Sequence, residues 1–155
     1  MKKAWEKLGT VAFWVSWPLI YLFLKRSKRT RVLVVAGDQV LVVKGWLGMH
    51  RWTLPGGGLK SNEDAAVGAA RELKEETGIS VSTDKLKLLG QNIFTVHGHK
   101  MECVCFVVEI DNALPLKTGR PELIDSAWMD YQELLKQNPS SSAKTLVEDW
   151  FKPGQ

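Results

Sequence analysis

The sequence predicts a mixed α/β domain, and three observations carry that expectation. Short β-branched runs flank a Gly-Asp turn, one long helical stretch is bounded by cap residues, and the later strands alternate with helices without regular βαβ spacing. The chain has 155 residues, 45% apolar and 25% charged, which suits one globular domain.

The body is expected to begin at Arg31. Val32–Ala36 and Val40–Lys44 read as strands joined at Gly37-Asp38, a hairpin. Trp52–Leu54 is short and extended, because Pro55 disfavours helical geometry in its predecessor. Gly56, Gly57 and Gly58 then open backbone geometry that other residues resist. A helix is expected from about Asn62 to Thr77. Ser61 with Asp64 resembles a capping box, Ala65, Ala66, Ala69, Ala70 and Leu73 supply the packing side, and Gly78 is the stop. Leu86–Gln91, Met101–Ile110 and Ile124–Met129 read as further strands. Asp111–Glu122 reads as a loop, Asp130 as the cap of a small helix through Leu135, and Ala143–Phe151 as a closing helix. Leu146, Trp150 and Val147 are its expected inward residues.

The net charge is +4, but it is unevenly placed. Residues 1–31 hold eight Lys and Arg against Glu6, which leaves the rest of the chain at −3. A mildly acidic body argues against a nucleic-acid surface. Cys103 and Cys105 are two apart in an apolar run, so a strand would put them on one face, a poor framework for a disulfide.

Leu8–Leu24 is 17 residues without a formal charge, flanked by basic residues on both sides. Its length is at the short limit for a membrane span, about 17–25 residues. Three readings stand: a membrane-spanning anchor, an interfacial or re-entrant helix, and a helix packed on the domain or on a partner. The first is expected. It divides the chain into residues 1–30, an anchor with a basic flank, and residues 31–155, a domain held at the membrane on its cytoplasmic side. A soluble cytoplasmic chain is the alternative. No small-x-small cleavage site follows the run.

Glu72, Glu75 and Glu76 stand at i, i+3 and i+4 of the expected helix, which puts the three carboxylates on one helical face. Like charges so crowded repel, and a divalent cation relieves that cost. Oxygen ligands suit Mg²⁺ or Mn²⁺, and Mg²⁺ held by one or two carboxylates keeps room for waters and phosphate oxygens. Read alone, such a cluster is also what a solvated helix face looks like; the neighbouring glycine run shifts the balance.

The segment GGLKSNEDAAVGAARELKEETGI resembles the Nudix box, the signature of the Nudix hydrolase superfamily. Gly57, Glu63, Arg71, Glu72, Leu73, Glu75, Glu76, Gly78 and Ile79 occupy its defined positions. The resemblance extends in general pattern over about residues 31–151. It implies a Nudix-type α/β/α sandwich with a mixed sheet, here preceded by an N-terminal hydrophobic helix. It implies metal-dependent hydrolysis of a diphosphate linkage in a nucleoside diphosphate derivative, by attack of metal-activated water. Glu72, Glu75 and Glu76 are then the main ligands of Mg²⁺ or Mn²⁺, with the carbonyl of Gly56 or Gly57 added and Glu63 assisting. Arg71 is expected to hold a box glutamate by a bidentate pair. Leu73 and Ile79 are expected in the core. Glu76 is the first choice of base, with Glu102 or Glu122 as bases outside the box. Arg51, Lys44, Lys60 and Trp46 are candidates to meet substrate. Trp46, Trp52 and Phe94 are candidates to stack on a base, with a core role equally open for Trp52, and His97 and His99 to touch substrate or serve as base. The rival is a catalytically weak Nudix-fold protein that binds nucleotide or regulates at the membrane.

Overall fold

The structure, a computed structural model, describes residues 28–45, 50–96, 99–117 and 123–152. Strand β1 is Arg29–Ala36, β2 Gln39–Gly45, β3 Trp52–Thr53, β4 Lys87–Val96, β5 His99–Glu109 and β6 Leu123–Asp130. Helix α1 is Ala65–Thr77, α2 Tyr131–Lys136 and α3 Ser141–Phe151, and a 3-10 turn at Thr83–Lys85 precedes β4.

The six strands form one mixed sheet in the order β3-β2-β1-β5-β4, with β6 also paired to β2. β1 and β2 are antiparallel through Val35↔Val40, the expected hairpin. β1 runs parallel to β5 from Arg29↔Cys103 to Val35↔Glu109. A strand flanked on both sides and covered on both faces needs an apolar residue at every position, and Val32, Leu33, Val34 and Val35 are all buried.

Alternation along the strands divides the core into two layers. Val32, Val34, Leu41, Phe106 and Val108 face α1 and pack on Ala69, Leu73 and Ile79. Leu33, Val35, Val40, Val42, Cys105 and Val107 face the opposite way and meet Leu134, Ala143, Leu146 and Val147 of α2 and α3. The result is the α/β/α sandwich. Each fully buried Leu or Val stabilises it by about 1.5–3 kcal/mol.

Several boundaries differ from expectation, and two of them shape the site. β1 starts at Arg29, because it pairs in parallel with β5 from Arg29↔Cys103 onward, while backbone bonds to the glycine-rich loop hold its other side. Helix α1 starts at Ala65, not Asn62, and its cap is Asp64, not Ser61. The Asp64 carboxylate accepts from the Ala66 and Val67 amides at 2.9 and 3.1 Å, while Asn62 sits at φ 58, outside helical geometry. Gly78 ends the helix as read, at φ 77 with its N–H on the Lys74 carbonyl.

The expectation of a membrane-spanning anchor, and the membrane location built on it, is corrected here. Among the described residues no helix is long and apolar enough to cross a membrane. Residues 8–24, on which that expectation rested, lie outside the described residues.

Candidate active site

The site begins where the glycine loop runs beside the first residues of β1. The Thr30 amide donates to the Gly57 carbonyl at 2.9 Å, the Val32 amide to Pro55, and the Leu59 amide to Lys28. Arg29 and Gly58 form an isolated antiparallel bridge. Only glycine tolerates the closeness at residue 56. Its φ is +139°, and a Cβ there would lie 2.2 Å from the Thr30 carbonyl oxygen.

Beneath this loop lie the helix carboxylates. Glu72 and Glu76 are buried, at 3% and 8% exposure, so α1 turns them inward along with Ala69 and Leu73. Glu75, expected on the same face, points outward, with 40% of its side chain exposed. The reason is geometric. At 100° per residue, positions i and i+4 overlap, while i+3 falls to the other side of i. The Gly56 amide donates to Glu76 Oε2 at 2.8 Å. A Cβ on Gly57 would lie 2.5 Å from Glu72 Oε2, so the loop is shaped to receive that carboxylate.

Arg71 ties the assembly together. Its Nε and Nη2 donate to Glu63 Oε1 and Oε2 at 2.8 and 2.9 Å, a bidentate pair. Nη1 donates to Glu72 Oε1 at 2.7 Å and reaches Glu75 Oε2 at 3.4 Å. Nη2 also donates to the Gly58 carbonyl at 3.1 Å. One guanidinium thus joins the loop to the helix. Glu63 is thereby engaged as the partner of Arg71. Both its oxygens accept from that side chain, and Oε2 also accepts from the Lys60 amide at 2.8 Å. These bonds, Arg71 first, hold the Glu63 carboxyl down at about 2. The same pairing raises Arg71 above its ordinary range.

The other expected site residues fall at varied distances from this centre. Lys44 Nζ lies 4.1 Å from the centroid of the Trp52 ring, a cation–π contact on β2 and β3. Trp52 and Phe94 are buried in the core and are not available to stack on a base. Arg51 and Lys60 are exposed. Glu102 is exposed on β5 opposite Ile93. Trp46, His97 and Glu122 lie outside the described residues, as does the side chain of His99. Cys103 and Cys105 are free thiols, both buried, and burial pushes Cys105 up to about 11.

Two residues at the site escape a reading of the sequence. Arg31 Nη1 donates to the Gly56 carbonyl at 2.6 Å. Arg29 lies near enough to feel the charges of Glu72 and Glu76. In the sequence both belong to an undistinguished basic cluster. Their placement depends on β1 meeting a loop more than 20 residues away.

Among the described residues no three His, Cys, Asp or Glu side chains already converge as a ligand set. The donor chemistry nevertheless fits a hard divalent cation. Glu72 and Glu76 offer oxygen on the inward face beside carbonyls of a glycine loop shaped around Glu72. Such a set suits Mg²⁺ or Mn²⁺ held partly by waters and phosphate, not a closed protein cage. Arg71 engages both oxygens of Glu63 but only Oε1 of Glu72, so Glu63 has less oxygen left to offer.

Comparison with known proteins agrees with the box and the fold. The NUDIX domain family model matches residues 25–149. Nudix hydrolase 7 of Arabidopsis thaliana is 28% identical over 103 residues, 64% of this chain and 36% of that protein. The chain spans little more than a third of the length of the curated relatives it matches. A MutT/nudix family protein from Enterococcus faecalis superposes with a TM-score of 0.59 at 24% identity, covering 67% of this chain and 43% of that one. A bifunctional NMN adenylyltransferase/ADP ribose pyrophosphatase from Francisella tularensis reaches a TM-score of 0.70 at 17% identity, over 96% of this chain and 48% of that one. With an intact box folded beneath its glycine loop and a family model matching most of its length, this chain belongs to the Nudix hydrolase superfamily.

Proposed function

We propose that the chain hydrolyses a diphosphate linkage in a nucleoside diphosphate derivative with Mg²⁺ or Mn²⁺. One observation carries this reading: Glu72 and Glu76 are buried side by side under a loop whose glycines admit them. Buried carboxylates are costly, and a helix that only needed solubility would turn both outward.

The protein's own groups divide the work. Arg71 fixes Glu72 against the loop and leaves the helix little freedom to shift. Glu76, held to the Gly56 amide, stands at the loop and accepts the proton of the attacking water. Glu75, more exposed, faces the solvent side from which a phosphate chain arrives. When bound, the cation neutralises phosphate charge and makes a coordinated water more acidic. Proton acceptance by a positioned carboxylate contributes typically about 10²–10⁴-fold in rate.

The test is phosphate and pyrophosphate release by the full chain from a panel of nucleoside triphosphates, nucleotide sugars and dinucleotides. Release from at least one member that depends on Mg²⁺ or Mn²⁺ is the expected result. Tight nucleotide binding without release from any member would overturn it.

A further inference from the structure

We propose that Arg29 binds a phosphate group of the substrate, and that Arg31 positions it by holding the glycine loop. This rests on the hydrolytic reading for the identity of the ligand, but the anion site itself is argued from β1.

Arg29 and Arg31 are two apart on a strand, so their side chains leave the same face. Two guanidiniums placed this way repel each other, and each needs a role or a partner. Arg31 has one, since Nη1 donates to the carbonyls of Gly56 at 2.6 Å and Thr30 at 3.3 Å. Arg29 does not. Among the described residues its side chain makes no hydrogen bond and no ion pair, and its Nε is buried without a hydrogen-bond partner. The Nε of Arg31 is in the same condition. Burial and the neighbouring Arg31 charge both work against the Arg29 cation, and the Glu72 and Glu76 charges offset that only in part.

A partly buried cation with unused donors is costly, and an arriving anion relieves it. The position names the anion. Arg29 is bridged through its backbone to Gly58, one residue past the glycine that closes on Glu72. A diphosphate beside the inward carboxylates therefore brings its remaining oxygens toward β1. The planar guanidinium fork matches such oxygens two at a time, which a lysine ammonium does not. The ligand class is a phosphate or diphosphate group, read by its charge and geometry and not by whatever is attached to it.

Inorganic pyrophosphate is the probe, and calorimetric titration of the full chain in EDTA is the measurement. It reports anion binding without turnover and without a divalent cation. Arg29→Gln is expected to weaken pyrophosphate about 10- to 100-fold, the range for a charged hydrogen bond. Arg29→Lys, which keeps the charge but not the fork, is expected to lose about 3- to 10-fold. Unchanged pyrophosphate affinity in Arg29→Gln, with a changed melting temperature, would show that Arg29 only balances Glu72 and Glu76, and overturns the proposal. So does a wild-type chain that fails to bind pyrophosphate. If Arg29→Gln does not fold, Arg29→Lys decides, and wild-type affinity there overturns it. Arg29-dependent pyrophosphate binding in a chain that hydrolyses nothing supports the anion site and sinks the hydrolytic reading alone. Hydrolysis that is intact and indifferent to Arg29→Gln does the reverse.

Discussion

Substituting alanine at Gly56 and at Gly57 separates two roles that adjacent glycines play. At Gly56 the added Cβ meets backbone, 2.2 Å from the Thr30 oxygen and 2.9 Å from its carbon, and φ is +139°. Neither partner can step aside, because Thr30 belongs to a strand paired with β5. Overpacking of this kind costs about 1–3 kcal/mol, and a non-glycine residue in that backbone region about 1–3 more. A loss of about 2–6 kcal/mol corresponds to a fall in Tm of roughly 5–20 °C for a chain of this size. At Gly57 the Cβ meets the Glu72 carboxyl, at 2.5 Å from Oε2 and 2.6 Å from Cδ. That group is the end of a side chain and can swing away. Gly57→Ala is therefore expected to melt within a few degrees of wild type. Its kcat/KM is expected to fall about 100-fold, the scale on which a misplacement near 1 Å acts. Thermal melts and steady-state kinetics on the two variants check this. Wild-type Tm in Gly56→Ala would refute the close approach of loop and strand, and wild-type kcat/KM in Gly57→Ala would refute the need for Glu72 in its place.

Other consequences are open to direct measurement. Asp64→Ala should cost about 1 kcal/mol, the usual value of a lost N-cap, whereas Ser61→Ala should cost almost nothing; urea titration of both variants distinguishes the true cap. Glu63 has a folded pKa of about 2 against an ordinary 4.5. Its contribution is therefore complete above about pH 5 and is lost as pH falls from there toward 2. The stability gap between wild type and Glu63→Gln should shrink over that window, and a gap that widens on acidification would contradict the pairing with Arg71. Cys103 and Cys105 are buried and burial raises both thiols, so a disulfide reagent at pH 8 should modify them at the rate of unfolding and not faster.

What the sequence makes legible here is what is local. Glu72 and Glu76 sit within one helical turn, Gly78 directly follows the helix it ends, and Asp130 directly precedes the one it caps. Spacing alone is enough to read such features. The misplaced helix start shows a limit even at short range: Ser61 and Asp64 both look like caps, and only the backbone at Asn62, in left-handed geometry, decides between them. β4 continues five residues past the expected end at Gln91, because pairing with β5 runs on to Val96↔His99, a partner the local sequence does not show, and the exposed Ile93 hides the strand pattern there. Trp52 and Phe94 have the chemistry to stack on a base, but packing against α3 and β5 takes them into the core. Arg29 and Arg31 were illegible for a different reason. Their meaning comes from pairing between β1 and Gly56–Gly58, across more than 20 residues of chain. A basic residue in a basic cluster carries no sign of such a partner.

Glu76→Gln is the most direct test of the whole arrangement. The amide oxygen of glutamine can still accept from the Gly56 amide, so the loop keeps its support, while the carboxylate proposed to take the proton is gone. Circular dichroism should show an unchanged fold, and Mg²⁺-dependent release of phosphate or pyrophosphate from the chosen nucleoside diphosphate derivative should fall by about 10²–10⁴-fold. Wild-type turnover in a folded Glu76→Gln chain would contradict the assignment of the buried carboxylates as the catalytic centre.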